Sequence, residues 1–269
     1  ERSAHNGVVR GSSPRGPTNF LNKMKETFII TARLKSTRLP KKILLKVKGK
    51  PLIVHMINRI KHSKKINNII IATSTNTQDD LLEDIAKKQN VHCFRGSEED
   101  VLIRLLEASR KFNLSSFVNM TADIPMIDPL LIDNAINVYQ NIKPDLLLFE
   151  KYSFGVCLMV KVSALSKVCK EKKNNYTEAW VKFFQNNKNI NIHIENVSKE
   201  NKNKFLKTSL DYYEDFLFIK RIFEELYKEN EIFYNKDITN LLIKKPYIKN
   251  INSNDFFLKR WESHRLKIN

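Results

Sequence analysis

The sequence predicts an α/β protein: a mainly parallel, mixed sheet with helices on both faces. Three observations carry that expectation. Short β-branched or apolar runs recur at 27–32, 68–73, 91–94, 116–121 and 145–149. Segments with helical apolar spacing, ~10–15 residues long, separate them, as in βαβ units. The chain has 269 residues, 42% of them apolar with 16 Phe, which is ample for a packed core.

Residues 27–32 read as a buried strand, because β-branched and apolar residues follow one another without polar alternation. Residues 51–64 set Leu52, Ile53, Met56, Ile57 and Ile60 on one helical face, with Pro51 suited to the first turn. The run NIIIAT at 68–73 is the second strand. A helix at 78–88 and a short strand at 91–94 follow. Residues 98–112 form an amphipathic helix through Val101, Leu102, Leu105 and Ala108. A strand at 116–121, a helix at 129–139 and a strand at 145–149 complete this half. Right-handed crossovers place a ligand crevice at the strands' carboxyl ends.

After residue 150 the rhythm changes. Strands are expected at 155–160, 190–197 and 205–210, and helices at 175–185, 211–228 and 236–245. This half adds strands to the same sheet and a small subdomain. Residues 252–269 form a C-terminal arm whose Phe256, Phe257 and Trp261 need a surface to cover. Residues 1–23 hold three of the six glycines and two of the eight prolines, with no apolar periodicity. They read as a disordered tag or linker rather than a signal peptide, with Met24 as the expected native start. The organisation expected is this terminal segment, a nucleotide-binding half at 24–150, an acceptor-binding and dimerisation half of the same domain at 151–251, and the arm.

Lys and Arg number 47 against 29 Asp and Glu, a net charge of +18. That excess suits an anionic partner, whether nucleic acid, acidic membrane or phosphorylated substrate. Yet 35 of the cations are Lys and the chain is rich in Asn and Ile, the mix that an AT-rich coding sequence gives whatever the function. Position must therefore decide. The lysines spread through every helix instead of interleaving with aromatics on one face, which argues against nucleic acid as a partner. No apolar run is long enough to span a bilayer, so no membrane partner is expected. Cys93, Cys157 and Cys169 are too few and too scattered for a disulfide framework or zinc knuckle, and a reducing, cytoplasmic setting is expected.

The chemistry concentrates where strands end. The first strand runs into Arg33-Leu34-Lys35-Ser36-Thr37-Arg38-Leu39-Pro40-Lys41-Lys42, with five cations and two hydroxyls in ten residues. Such a loop can hold a polyphosphate through backbone N–H groups, hydroxyls and bidentate Arg. It contains no glycine, so it is neither a Walker A loop nor a dinucleotide fingerprint. A solvated basic loop fits the same spacing. The strand at 116–121 ends at Thr121-Ala122-Asp123, and a carboxylate there could hold Mg²⁺ against phosphates or simply form a turn. Asp211 precedes a helix with Glu214 three residues on, a capping-box pattern that leaves one oxygen free for a metal.

The stretch TARLKSTRLPKKILLKVKGKPLIVHMINRIK resembles the start of the cytidylyltransferases that make CMP-activated sugars. The branch related to spore-coat polysaccharide synthesis is closer than the CMP-Kdo synthetases. IIIATSTNTQDDLL, RGSEEDVLIRLLEA, NMTADIPMIDPLLID and LKTSLDYYEDFLFIKRIFEEL resemble the family's later motifs in the same order, covering most of 28–226. The resemblance implies a Rossmann-like nucleotide-diphospho-sugar transferase fold, often dimeric, so a homodimer is expected. It also implies transfer of CMP from CTP to a small acidic acceptor, an acid sugar of the 3-deoxy-octulosonate type or a phosphonate or phosphorylated compound, with pyrophosphate released.

Carried over by motif, Arg33, Ser36, Arg38 and Lys42 fall on triphosphate-gripping positions, with Arg33, Arg38 and Lys42 stabilising the leaving group. Ala32 and Thr121 flank the CTP site. Ala72, Thr73 and Ser74 lie on the cytosine-reading segment, with Arg95 beside them. Asp123 and Asp211 match the Mg²⁺ ligands. The chain departs from the family where Lys35 and Lys41 replace usual glycines, where Ser153-Phe154-Gly155 stands for a Pro-Arg-Gly turn, and where Glu178-Ala179 stands for a Glu-His pair. These departures bear on the acceptor more than on the reaction class. His55 reads as structural, His62 as exposed, and Lys35 as pointing to solvent. A metal-dependent glycosyltransferase would want Asp-x-Asp where the chain has Asp123-Ile124-Pro125. A catalytically dead homologue would have lost the loop cations or the aspartates, and both are present.

Overall fold

In the computed structural model, residues 26–149, 158–196 and 206–252 are described. The elements run in the expected alternation. β1 (Glu26–Thr31) leads through a 3-10 turn (Lys42–Leu44) to a small hairpin, β2 (Lys46–Val47) and β3 (Lys50–Pro51). Then come α1 (Leu52–Lys61), β4 (Ile66–Ser74), α2 (Asp80–Lys88), β5 (His92–Gly96), α3 (Val101–Lys111), β6 (Ser116–Thr121), α4 (Pro129–Ile142) and β7 (Leu146–Phe149). β8 (Leu158–Lys161), α5 (Val162–Glu171), α6 (Val181–Gln185), β9 (Ile192–Glu195), α7 (Tyr213–Leu226) and α8 (Asn235–Lys244) follow.

Among the described residues the main sheet has seven strands in the order β5-β4-β1-β6-β8-β7-β9, with β8 antiparallel to both neighbours and the other pairings parallel. β1 is central, hydrogen-bonded to β4 and β6, and covered on both faces, which is why its sequence does not alternate. One face packs α1, α2 and α4 through Ile53, Met56, Leu82 and Ile136; the other packs α3, α5 and α6 through Leu102, Leu105, Leu165 and Phe184. The chain crosses from β1 to β4 on one side and returns to β6 on the other. The switch point thus opens at the carboxyl ends of β1 and β6, where ligands bind in such sheets.

A third apolar cluster holds α7 and α8 against the hairpin and the start of α1 through Val47, Leu52, Phe218, Ile222 and Leu242. Buried Arg59 clamps this subdomain to the sheet body. Its Nε donates to the Ile127 carbonyl at 2.7 Å and its Nη2 to the Phe233 carbonyl at 2.8 Å, and its guanidinium lies over the Phe233 ring. No helix among the described residues is long and apolar enough to cross a membrane.

The departures from the sequence reading are instructive. The helix expected at 175–185 is only α6, because residues 172–180 form a strap anchored by side chains. The strand expected at 205–210 is irregular over 206–210, where Leu210 N donates to the Asp123 carbonyl of the sheet body at 2.8 Å. α5 and the hairpin were not anticipated. The hairpin turns on Lys48 and Gly49, both at positive φ (48° and 77°), a two-residue turn that glycine makes possible. The tag-like segment, the Ser153-Phe154-Gly155 turn, Cys157 and the C-terminal arm lie outside the described residues.

Candidate active site

A cleft of about 460 Å³ opens at the switch point, well sized for a small-molecule site. It is lined by Ala32, Arg33, Ser36, Arg38 and Lys42 from the loop after β1, and by Thr121 and Asp123 from the end of β6. The loop's course is fixed from beneath. Asp79, fully buried at the start of α2, accepts from Leu34 N at 2.7 Å and from the Ser74 hydroxyl. Backbone bonds from Lys41 N to the Leu34 carbonyl and from Lys42 N to the Leu39 carbonyl close the loop. Ser36 Oγ faces Leu39 N at 3.4 Å.

Lys42 is the hub. Its Nζ donates to Asp123 Oδ2 at 2.9 Å, to the Leu210 carbonyl at 2.5 Å and to Asp211 Oδ1 at 3.4 Å. Arg38 Nη2 donates to the same Asp211 oxygen at 2.7 Å, and Lys207 lies 3.3 Å from Asp211 Oδ2. Burial alone would raise the Asp211 carboxyl, but Lys207, Lys42 and Arg38 outweigh it and hold it down at about 2. Asp123 is oriented by Thr121, whose hydroxyl donates to Oδ1 at 2.6 Å. The tie from Leu210 N to Asp123 brings the two aspartates together although 88 residues separate them in sequence.

The cap role proposed for Asp211 falls to another residue. Tyr212 is the N-cap of α7, and Asp215 Oδ2 accepts from both Asp211 N and Tyr212 N at 2.9 Å. The Asp211 carboxylate is therefore not needed to start the helix. Asp123 and Asp211 suit a divalent oxygen-seeking cation. They supply two carboxylates around a position already taken by an ammonium, and no group of three acidic, His or Cys side chains among the described residues forms a self-sufficient cage. Mg²⁺ commonly binds in that way, through one or two carboxylates plus phosphates and water.

Five sequence-predicted residues are not in the cleft lining: Asp211, which lies behind it and touches it through Lys42 and Arg38, and Ala72, Thr73, Ser74 and Arg95. Ala72, Thr73 and Ser74 are fully buried, and the Ser74 hydroxyl is engaged by Asp79. Arg95 donates to the Ser74 and Asn76 carbonyls and pairs with Asp80 and Glu83, tying β4 to α2. The Ser74 and Arg95 side chains thus serve the scaffold, while the buried Thr73 hydroxyl has no hydrogen-bond partner among the described residues. Lys35, expected to point to solvent, has a side chain 61% exposed but lies at the rim of the cleft, where it pairs with Glu98 at 3.1 Å.

Other residues line the cleft that were not expected there, Glu178 having been noted only as half of a departed Glu-His pair. Glu98, Glu99 and Arg104 come from the start of α3 and the loop before it; Tyr176, Glu178 and Trp180 come from the strap. Arg104 is buried, and its Nη1 donates to the Ser97 and Glu98 carbonyls at 2.6 and 3.2 Å. Burial, with Arg33 nearby, lowers it to about 10. Glu178 Oε1 accepts from Arg33 Nη2 at 2.6 Å, and Oε2 accepts from the Tyr176 hydroxyl at 2.6 Å. The signal for Arg104 was a lone cation on an otherwise apolar helical face. The Arg33–Glu178 pair spans 145 positions and left no local signal.

Neither described cysteine lines the cleft. Burial pushes the Cys93 and Cys169 thiols up to about 11. His55 is buried, its Nε2 2.8 Å from the Val47 carbonyl between the Phe223 and Tyr227 rings, the structural role expected of it.

A family model described as cytidylyltransferase matches residues 27–251. An uncharacterized protein of Methanocaldococcus jannaschii is 31% identical over 237 residues, covering 86% of this chain and 96% of that protein. The spore coat polysaccharide biosynthesis protein SpsF of Bacillus subtilis is 36% identical over 134 residues, covering 48% of this chain and 56% of that protein. Among solved structures, a cytidylyltransferase from Leptospira borgpetersenii superposes with a TM-score of 0.77 at 27% identity, covering 84% of this chain and 96% of that one. A CMP:2-keto-3-deoxy-manno-octonic acid synthetase shares the fold, with a TM-score of 0.60 at 16% identity over 75% of this chain and all of that one.

Proposed function

The chain belongs to the cytidylyltransferase family of CTP-dependent nucleotidyltransferases, and from that premise we propose that it transfers CMP from CTP to a small acidic acceptor, releasing pyrophosphate. The observation that carries the reading is Lys42 Nζ lodged between Asp123, just past the end of β6, and Asp211, just before α7, an ammonium between two carboxylates in a loop of cations. A divalent cation held by those carboxylates would free Lys42 for phosphate. When bound, such a cation supplies Lewis acidity toward an α-phosphate oxygen and the acceptor hydroxyl.

The chain's own side chains do the rest. An acceptor oxygen attacks the α-phosphorus in line, and the bond to the bridging oxygen breaks so that pyrophosphate departs. Arg33, Arg38 and Lys42 neutralise charge developing on the departing phosphates, and the strap and α3 orient the acceptor. Asp211, held near 2, stays ionised at every working pH. An acid sugar of the 3-deoxy-octulosonate type suits the acceptor side: its carboxylate matches Arg104, and its hydroxyls match Glu98, Glu99 and Glu178. A phosphonate or phosphorylated compound would match the cations alone.

The test is pyrophosphate release from CTP and from ATP against a panel of acid sugars and phosphonates, with and without EDTA. We expect CTP-selective, EDTA-sensitive turnover with 3-deoxy-manno-octulosonate or a related acid sugar. Equal release from ATP, or full activity in EDTA, refutes the reading.

A further inference from the structure

We propose that Glu178 is a displaceable counter-ion for Arg33. It competes with the phosphates that leave as pyrophosphate, and so weakens CTP binding and speeds pyrophosphate release. The inference rests on the functional reading above and adds to it a residue that sets affinity from the opposite wall of the cleft.

Arg33 and Glu178 are joined at 2.6 Å, with side chains 31% and 42% exposed. Solvent reaches both, so the pair is weak enough to exchange. A phosphate group offers Arg33 more charge and a bidentate fit, and wins it from a single carboxylate. Glu178 does not drift away between these events, because the strap under it is built in. Thr177 is fully buried; its hydroxyl donates to Asp100 Oδ1 at 2.9 Å and accepts from Leu102 N at 3.0 Å, while its N donates to the Glu99 carbonyl at 3.1 Å. Lys172, almost buried, pairs with Asp100 at 2.5 Å. Asn174 Oδ1 accepts from Tyr176 N at 2.8 Å, and the Tyr176 hydroxyl holds the second Glu178 oxygen. The strap therefore keeps a carboxylate at arm's length from a phosphate-gripping guanidinium, an arrangement that stability alone does not require of so exposed a pair. Once pyrophosphate has formed, the same carboxylate is ready to recapture Arg33.

Isothermal calorimetry with CTP, and separately with pyrophosphate, each in Mg²⁺, tests the proposal on wild type, Glu178→Gln, Arg33→Ala and the double variant. Gln keeps the shape and removes the competing charge. We expect Glu178→Gln to tighten CTP and pyrophosphate ~3- to 10-fold, as for an exchangeable surface ion pair. In the Arg33→Ala background the substitution should change neither ligand more than about twofold, since the pair is then already broken. CMP, which lacks the β- and γ-phosphates, should bind wild type and Glu178→Gln alike. A merely structural Glu178 would give weaker binding of all three. Equal or weaker CTP and pyrophosphate binding by a Glu178→Gln protein of unchanged thermal midpoint overturns the inference and leaves the functional reading standing. Wild type that binds no CTP overturns both.

Discussion

The loop after β1 and the strap before α6 face each other across one cleft, and they are held in opposite ways. The loop is anchored by its backbone: buried Asp79 takes Leu34 N, and two main-chain bonds close the turn, which leaves its cations free to point inward. The strap is anchored by side chains, with Thr177, Lys172 and Asp100 forming a buried network beneath exposed Tyr176 and Glu178. The loop can therefore tolerate changes among its solvent-facing side chains, whereas single substitutions at the strap's buried anchors should release it. The two walls also meet different chemistry. One presents the cations Arg33, Arg38 and Lys42; the other presents the Glu178 carboxylate and the Tyr176 phenol. A family can keep the first wall while the second drifts.

The largest effect is expected at the floor between the walls. Asp211→Asn and Asp123→Asn should each lower turnover by ~1,000-fold or more, and the double variant should be little worse than either single, since both serve one ion. Asp211→Asn should also lower the thermal midpoint, because it strips the charge facing Arg38, Lys42 and Lys207. The pH dependence has a definite sign. A carboxyl depressed from 3.8 to about 2 contributes stability that is fully present above pH ~4 and is lost as pH falls toward 2. Wild type should lose stability more steeply than Asp211→Asn in that window, as urea midpoints measured from pH 5 to 2 would reveal. A stable, fully active Asp211→Asn protein would remove Asp211 from the site.

On the cation wall, Arg38→Ala should cost ~2–4 kcal/mol of transition-state stabilisation, ~30- to 1,000-fold in kcat/KM. Lys35→Ala should cost no more than ~threefold, since its ammonium reaches out to Glu98 at the rim. Similar losses for the two would mean that the loop's inward face is wrongly assigned. On the strap wall, Asp100→Ala removes the α3 N-cap bond to Ile103 N and leaves Lys172 without its buried partner. We expect ~2–4 kcal/mol of destabilisation by denaturant titration, with acceptor KM rising more than CTP KM.

Much of this was legible in the sequence, and the reason differs by region. β6 runs over the very residues expected, and β1, β4 and α1 begin or end within a few residues of expectation, because local periodicity alone specifies buried strands and amphipathic helices. The loop cations and the two aspartates could be read because charge clusters where β1 and β6 end and where α7 begins. The strap could not: its helix-like residues are pinned through Thr177 to Asp100, 77 positions away. The cap of α7 was misassigned by one position, since Asp211-Tyr212-Tyr213-Glu214-Asp215 offers two overlapping patterns and tertiary contacts choose Asp215. The side chains at Ala72–Ser74 look like cleft residues by motif, but the loop folds over the end of β4 and buries them.

The smallest effect concerns Lys41, which stands where the family resemblance implies a glycine. Its φ is 54°, in the left-handed region that costs a non-glycine residue ~1 kcal/mol. The geometry accounts for a glycine there: the chain must reverse just before Lys42 so that Nζ can reach Asp123. Lys41→Gly would relieve the strain, yet glycine's greater freedom in the unfolded chain takes back ~0.5–1 kcal/mol. The two terms nearly cancel, so stability should change by less than ~1 kcal/mol and turnover by less than ~twofold, the exposed ammonium being dispensable. Lys41→Val separates conformation from charge: it also removes the ammonium, but its branched Cβ resists a positive φ, and it should lose ~1–2 kcal/mol more than Lys41→Gly. Chemical denaturation of the two variants decides between them. If valine is as stable as glycine, the loop does not need its left-handed turn, and the backbone anchoring that distinguishes this wall from the strap is weaker than its hydrogen bonds imply.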